Sequence, residues 1–165
     1  MKSIFCSLVF AIAAASVGLA QSPSISVTLA PIRDSAACTF VATSFTDGFG
    51  NSSRPGSQTS GAGKGKLTLS PMTIVKQVDS CSTPLIVAVF TGATIPTVTI
   101  TVSGKGANGV GPVLTVTLRE VVVQSLSDSD SKGEGEPTEK LSVVFSAISI
   151  CDVAANTCYG GETPI

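Results

Sequence analysis

The sequence predicts a mainly β fold in one domain. Thr, Val, Ser and Ile carry much of the chain, and such residues suit a pleated, half-buried surface. Several segments alternate apolar and polar residues with period two. A single stretch, opening at Pro84, carries a helix-start signal. The 165 residues are 43% hydrophobic and 13% charged, the latter well under the usual ~25%. The apolar residues recur in ordered patterns, so the chain is not a disordered one.

Ser24 to Leu29 alternates Ser/Ile/Ser/Val/Thr/Leu and reads as the first strand. Cys38 to Phe45, rich in Thr, Phe and Val, is the second. Asp47 to Gly65 holds almost no large apolar residue, so its composition predicts a long loop. Lys66 to Val78 gives a further strand, bent or interrupted at Pro71. From Cys81 to Thr91, Ser82 or Thr83 can cap, Pro84 suits a first helical turn and Gly92 can end it. The Val and Ile content there also fits a strand; one short helix, buried on most sides, is the favoured reading. Thr97 to Val102 sets Val98, Ile100 and Val102 on one face. Gly104 to Gly111 turns the chain, and Val113 to Leu126 returns as a long strand with its alternation disturbed at Glu120-Val-Val-Val123, where a bulge can shift the facing. Asp128 to Pro137 is a polar loop, and Leu141 to Ile150 closes the domain with both faces partly apolar.

Met1 to Ala20 reads as an export signal, with Lys2 at its start, an apolar run from Ile4 to Leu19, and small residues ending at Ala20. The run is short for a membrane span of about 20 residues; an uncleaved N-terminal anchor is the alternative. Cleavage after Ala20 leaves residues 21–165 as a secreted or periplasmic domain with no membrane segment. Cys6 leaves with the signal, and Cys38, Cys81, Cys151 and Cys158 remain. Four cysteines in an exported chain point to two disulfides. Three pairings are open; Cys151–Cys158 closing a local loop, with Cys38–Cys81 tying an early strand to the helix start, is favoured. Neither close Cys-x-x-Cys pairs nor histidines are present to make a zinc site.

The composition also narrows function. The net charge is −1 with no basic stripe, which speaks against nucleic acid. Histidine is absent, which removes the commonest general base and metal ligand. Gly104, Gly106 and Gly109 spell a dinucleotide fingerprint, but a strand follows where a helix N-terminus would be needed. Gly61 to Lys66 resembles a phosphate loop and fails it at Ser60 and Leu67. Asp128, Asp130, Gly133 and Glu139 have calcium-loop spacing, yet Lys132 replaces an oxygen ligand and the flanks read as strands. A solvated loop is the favoured reading. Glu134, Glu136 and Glu139 supply carboxylates, all in one polar loop without the opposed, buried setting that separates an acid from a base. No cofactor is implied and no catalytic set stands out.

Several segments together resemble the Hcp family, the tube proteins of type VI secretion. They are Gly63-Lys-Gly-Lys-Leu-Thr-Leu69, Lys76-Gln-Val-Asp79 leading into Ser82-Thr-Pro-Leu85, Thr97-Val-Thr-Ile-Thr-Val102, Val113 to Ser127, and Glu136-Pro-Thr-Glu-Lys-Leu-Ser-Val-Val-Phe145. The resemblance implies a single β-barrel with one short side helix and a long extended loop, here Asp47 to Gly65, that reaches a neighbouring subunit. It further implies a non-enzymatic homo-oligomer, a hexameric ring that stacks into a tube, with effector proteins as cargo. Ring contacts of that kind join one patch to a different one. This chain departs from the family in its export signal, its four remaining cysteines and its 5% aromatic content. A secreted monomeric binding module on the same barrel is therefore the second reading. N-terminal sequencing of exported material is expected to begin at Gln21.

Overall fold

The structure, a computed structural model, describes residues 23–51, 67–106, 109–130 and 135–162. The export signal, most of the long loop and Lys132 to Glu134 lie outside these residues. In chain order the described elements are β1 (Ser24–Leu29), β2 (Cys38–Thr46), β3 (Phe49–Asn51), β4 (Leu67–Leu69), β5 (Met72–Gln77), α1 (Ser82–Thr91), β6 (Thr94–Gly106), β7 (Gly109–Ser129), β8 (Thr138–Val144), β9 (Ala147–Asp152) and β10 (Thr157–Glu162).

The large sheet runs β10-β9-β7-β6-β1-β2-β5-β8, and β8 also bonds to β7. The strands β7, β6, β1, β2, β5 and β8 therefore form a closed circuit, every pairing antiparallel. Period two decides which side chains fill it. Val27 and Leu29 point inward from β1, Phe40 and Ala42 from β2, Met72 and Ile74 from β5, and Leu141 and Val143 from β8. The intervening threonines and serines face outward. Leu85 and Ala88 of α1 join the same core.

The 21-residue β7 carries two partners along one edge. Val122 to Ser129 pairs with β8, and Leu114 to Arg119 pairs with β9. The change-over falls at the expected bulge. Glu120 has φ 48°, in the left-handed region, and the inward series on β7 steps from Leu118 to Val121 rather than by two. The neighbours slip at the same level: β6 steps from Ile95 to Val98 across Pro96, and the chain leaving β8 steps from Phe145 to Ile148. Ser146 marks that last step, its N–H donating to the Arg119 carbonyl at 3.0 Å. A matched slip on three strands bends the sheet and carries β9 and β10 away from the closed circuit.

Four local expectations are corrected. The closing strand from Leu141 to Ile150 is broken at Phe145-Ser146, because the partner strand turns at Glu120. The long loop opens as strand: Phe49, Gly50 and Asn51 pair with Leu69, Thr68 and Leu67, which lie in the expected strand after it. Helix α1 is not buried on most sides; Ser82, Leu85 and Ala88 face inward, while Phe90 is 85% exposed and Ile86 and Val87 also meet solvent. Its cap residue is Cys81, with no side-chain cap hydrogen bond, and the Cys81 N–H itself donates to Asp79 Oδ1 at 2.8 Å. Gly92 does end the helix, at φ 62°. Strand β10 had no sequence signal, its Gly160-Gly161 being poor strand formers.

Leu118 is wholly buried in β7 where β6 and β9 flank it. Leu118→Ala is expected to lower stability by about 2–5 kcal/mol, read as a shift in the urea midpoint at unchanged slope.

Candidate functional site

Lys76 and Glu139 form the most concentrated chemistry in the described residues. Lys76 continues the inward series Met72, Ile74 on β5, and Glu139 begins the inward series Leu141, Val143 on β8. The two residues are direct partners in the β5–β8 register. Both are buried, Lys76 completely, with Lys76 Nζ 2.6 Å from Glu139 Oε2. Nζ also donates to Asp79 Oδ1 at 2.9 Å, to the Gln77 carbonyl at 2.7 Å and to Ser82 Oγ at 3.1 Å. Its position 5.2 Å from the Phe40 ring centroid adds a cation–π contact. Ser82 completes the cluster: its hydroxyl donates to Glu139 Oε2 at 2.8 Å and accepts the Asp79 N–H at 3.0 Å.

A lysine beside a serine hydroxyl invites comparison with a nucleophile and its base. The bonding here excludes that role for this arrangement. The Lys76 ammonium directs its protons at two carboxylates, a carbonyl and a hydroxyl, and an ammonium offers no lone pair. The Ser82 hydroxyl accepts twice and donates once, and is itself buried. Among the described residues no buried side-chain nitrogen or oxygen lacks a partner. The surface cavities described below are lined by other side chains. The cluster is a joint between β5, the turn into α1, and β8.

The cysteines stand at two places. Cys38, at the start of β2, is bonded to Cys81, at the start of α1, with Cα atoms 5.9 Å apart. Cys151 on β9 is bonded to Cys158 on β10, directly opposite it, at a Cα separation of 4.1 Å. The calcium-loop residues are not brought together as ligands. Glu139 turns inward to Lys76, whereas Asp128, its partner in the β7–β8 register, and Asp130 are exposed. Glu139 therefore does not belong to the polar loop with Glu136, which corrects the carboxylate reading. Its phase with Leu141 and Val143 was the signal that could have placed it, as Met72 and Ile74 could have placed Lys76.

Three surface features could meet another molecule. The outer face of α1 presents Ile86, Val87 and Phe90 on a helix with no charged residue. An apolar groove of about 190 Å³ lies between the two outlying hairpins, lined by Phe49, Leu67 and Leu69 on one side and Ile148, Ile150 and Tyr159 on the other. A wider cleft of about 440 Å³ runs beside it, with Arg119 and Glu162 among its walls. Among the described residues strand β10 is bonded on one edge only, to β9.

Residues 36–151 match the family model described as type VI secretion system effector, Hcp. No curated protein matches the chain. Among solved structures, Hcp1 from the Escherichia coli EAEC 042 pathovar aligns over 84% of this chain and 97% of its own, with a TM-score of 0.69 and 14% identity. The secreted protein Hcp3 from Pseudomonas aeruginosa aligns over 87% and 100%, at 0.68 and 12%. Hcp1 from Salmonella typhimurium aligns over 86% and 95%, at 0.65 and 19%. At these identities the likeness is one of fold.

Breaking the Lys76–Glu139 pair from one side strands a buried charge. Lys76→Met is expected to cost about 3–5 kcal/mol in urea unfolding. The double change Lys76→Met with Glu139→Leu should recover a large part of that loss, because both charges go together.

Proposed function

The chain belongs to the Hcp family of type VI secretion, and from that membership we propose that it is an exported structural protein which acts by associating with copies of itself. On this reading it is a ring-forming tube component or a carrier of effector proteins, with six subunits to a ring and no reaction of its own. The observation that carries it is the family match across residues 36–151, a span that includes every strand of the closed circuit except β1, and the Lys76–Glu139 joint. The uncharged outer face of α1, the groove between the outlying hairpins and the free edge of β10 are surfaces from which a heterologous contact can be built. Deployment outside the cytoplasm is supported by the apolar run after Lys2 and by the bonded cysteines.

A second reading has its own observation. The two disulfides and the export signal fit folding in an oxidising compartment, away from a tube assembled inside the cell. A secreted monomeric binding module on the same barrel answers to that. Native mass spectrometry of non-reduced exported protein separates the two. A closed ring of six supports the tube or carrier role. A single subunit persisting at high concentration supports the module. Loss of about 20 N-terminal residues in the same spectrum reports the cleavage.

A further inference from the structure

The β3–β4 hairpin, called the arm below, continues from the β2–β5 ladder through the Ser70 N–H, which donates to the Gly48 carbonyl at 3.0 Å, and its side chains face β9 and β10. Leu67 of β4 sits so close to Gly161 that a Cβ at 161 would collide with its Cδ2. A Cβ at the neighbouring Gly160 would come within 2.9 Å of the Ile148 carbonyl. Gly160 thus permits the close pairing of β10 with β9, and Gly161 leaves room for the Leu67 side chain, which a larger residue at 161 would displace. Phe49, Leu67 and Leu69 face Ile148, Ile150 and Tyr159 across the apolar groove.

What positions β10 is local. Among the described residues its strand neighbour is β9 alone, from Thr157 opposite Asp152 to Glu162 opposite Ala147. The turn between them places Asn156 at φ 51°, and Asp152 Oδ1 accepts the Ala155 N–H at 2.9 Å. The remaining tie is Cys151–Cys158. Cys158 is exposed and Cys151 half-buried, whereas Cys81 of the other disulfide is buried in the core. A reductant therefore reaches the C-terminal bridge first.

We propose that β9 and β10 form a disulfide-stapled clamp that fixes the direction of the β3–β4 arm, and that reducing Cys151–Cys158 releases the arm. A dithiol supplies two electrons and two protons. One of its thiolates attacks a bridge sulfur, and the other displaces the mixed disulfide. Cys151 and Cys158 end as thiols and the reductant as its own disulfide. The clamp acts within one chain, so it stands or falls separately from ring formation.

Hydrogen exchange on the oxidised protein, residues 21–165, tests it, with amides of β3 and β4 compared against those of β1 and β6. The double variant Cys151→Ser with Cys158→Ser should speed exchange at Phe49 to Asn51 and Leu67 to Ser70 by ten-fold or more and leave β1 and β6 unchanged. Gly161→Val, with the bridge intact, should do the same by displacing Leu67. Leu67→Ala, which leaves both bridge and glycine in place, should speed the arm and not β10. Unchanged arm exchange in the serine variant, with β10 loosened, overturns the proposal, as does an arm indifferent to Leu67→Ala. Should the serine variant fail to fold, stepwise reduction of the wild-type protein with dithiothreitol gives the same comparison: arm protection lost together with the C-terminal bridge supports the clamp, and arm protection surviving it does not.

Discussion

One buried ion pair organises this fold. Lys76 and Glu139 face each other across β5 and β8 inside an otherwise apolar core, and the cost of dehydrating both charges is met only because each is surrounded by further partners. Those partners come from elements far apart in the chain. Asp79 and Ser82 belong to the turn that launches α1, and Phe40 belongs to β2, where the Cys38–Cys81 bridge begins. A register shift of β8 against β5 by one residue would turn Glu139 to solvent and take from Lys76 its buried carboxylate partner. The pair therefore selects one alignment for the strands that close the circuit. An apolar core of the same volume could be as stable and would select less sharply.

Much of this architecture was legible in the chain. Alternation of Ile/Val with Ser/Thr located β1, β2, β6 and the body of β7. Pro71 marked the break between β4 and β5, and the glycines from Gly104 to Gly111 marked a hairpin. The run Glu120-Val-Val-Val123, too apolar to alternate, marked the bulge. The Lys76–Glu139 joint was missed because charged residues in strands are usually solvated, and only their phase with neighbouring apolar residues says otherwise. Helix α1 was misjudged for a related reason. An apolar run such as Leu85 to Phe90 states what could be buried, and only the packing partner decides which stripe is. Strand β10 could not be read at all, since two adjacent glycines carry no side-chain pattern; its pairing comes from β9.

The matched slip at Pro96, Glu120 and Ser146 divides the molecule into two parts with different work. On one side lies the closed circuit with its packed core. On the other, β9 and β10 extend the sheet and support the base of the arm. Proline lacks a backbone donor and Glu120 takes a left-handed conformation, so neither residue continues a regular ladder. Together with Ser146 they set the level at which the sheet leaves the circuit, and with it the place of the surfaces that could receive a second molecule.

Closing the circuit has a consequence for how the protein behaves in a crowd. Among the described residues the strands of the circuit have neighbours on both sides, so the strand of the large sheet left with an open edge is β10. An open strand invites copies to stack without limit into fibrils. This one is six residues long, holds two glycines and ends in an acid, three properties that make it a poor seed. Growth by endless strand addition is thereby discouraged, whereas contacts through side-chain surfaces have a geometry that can define an end.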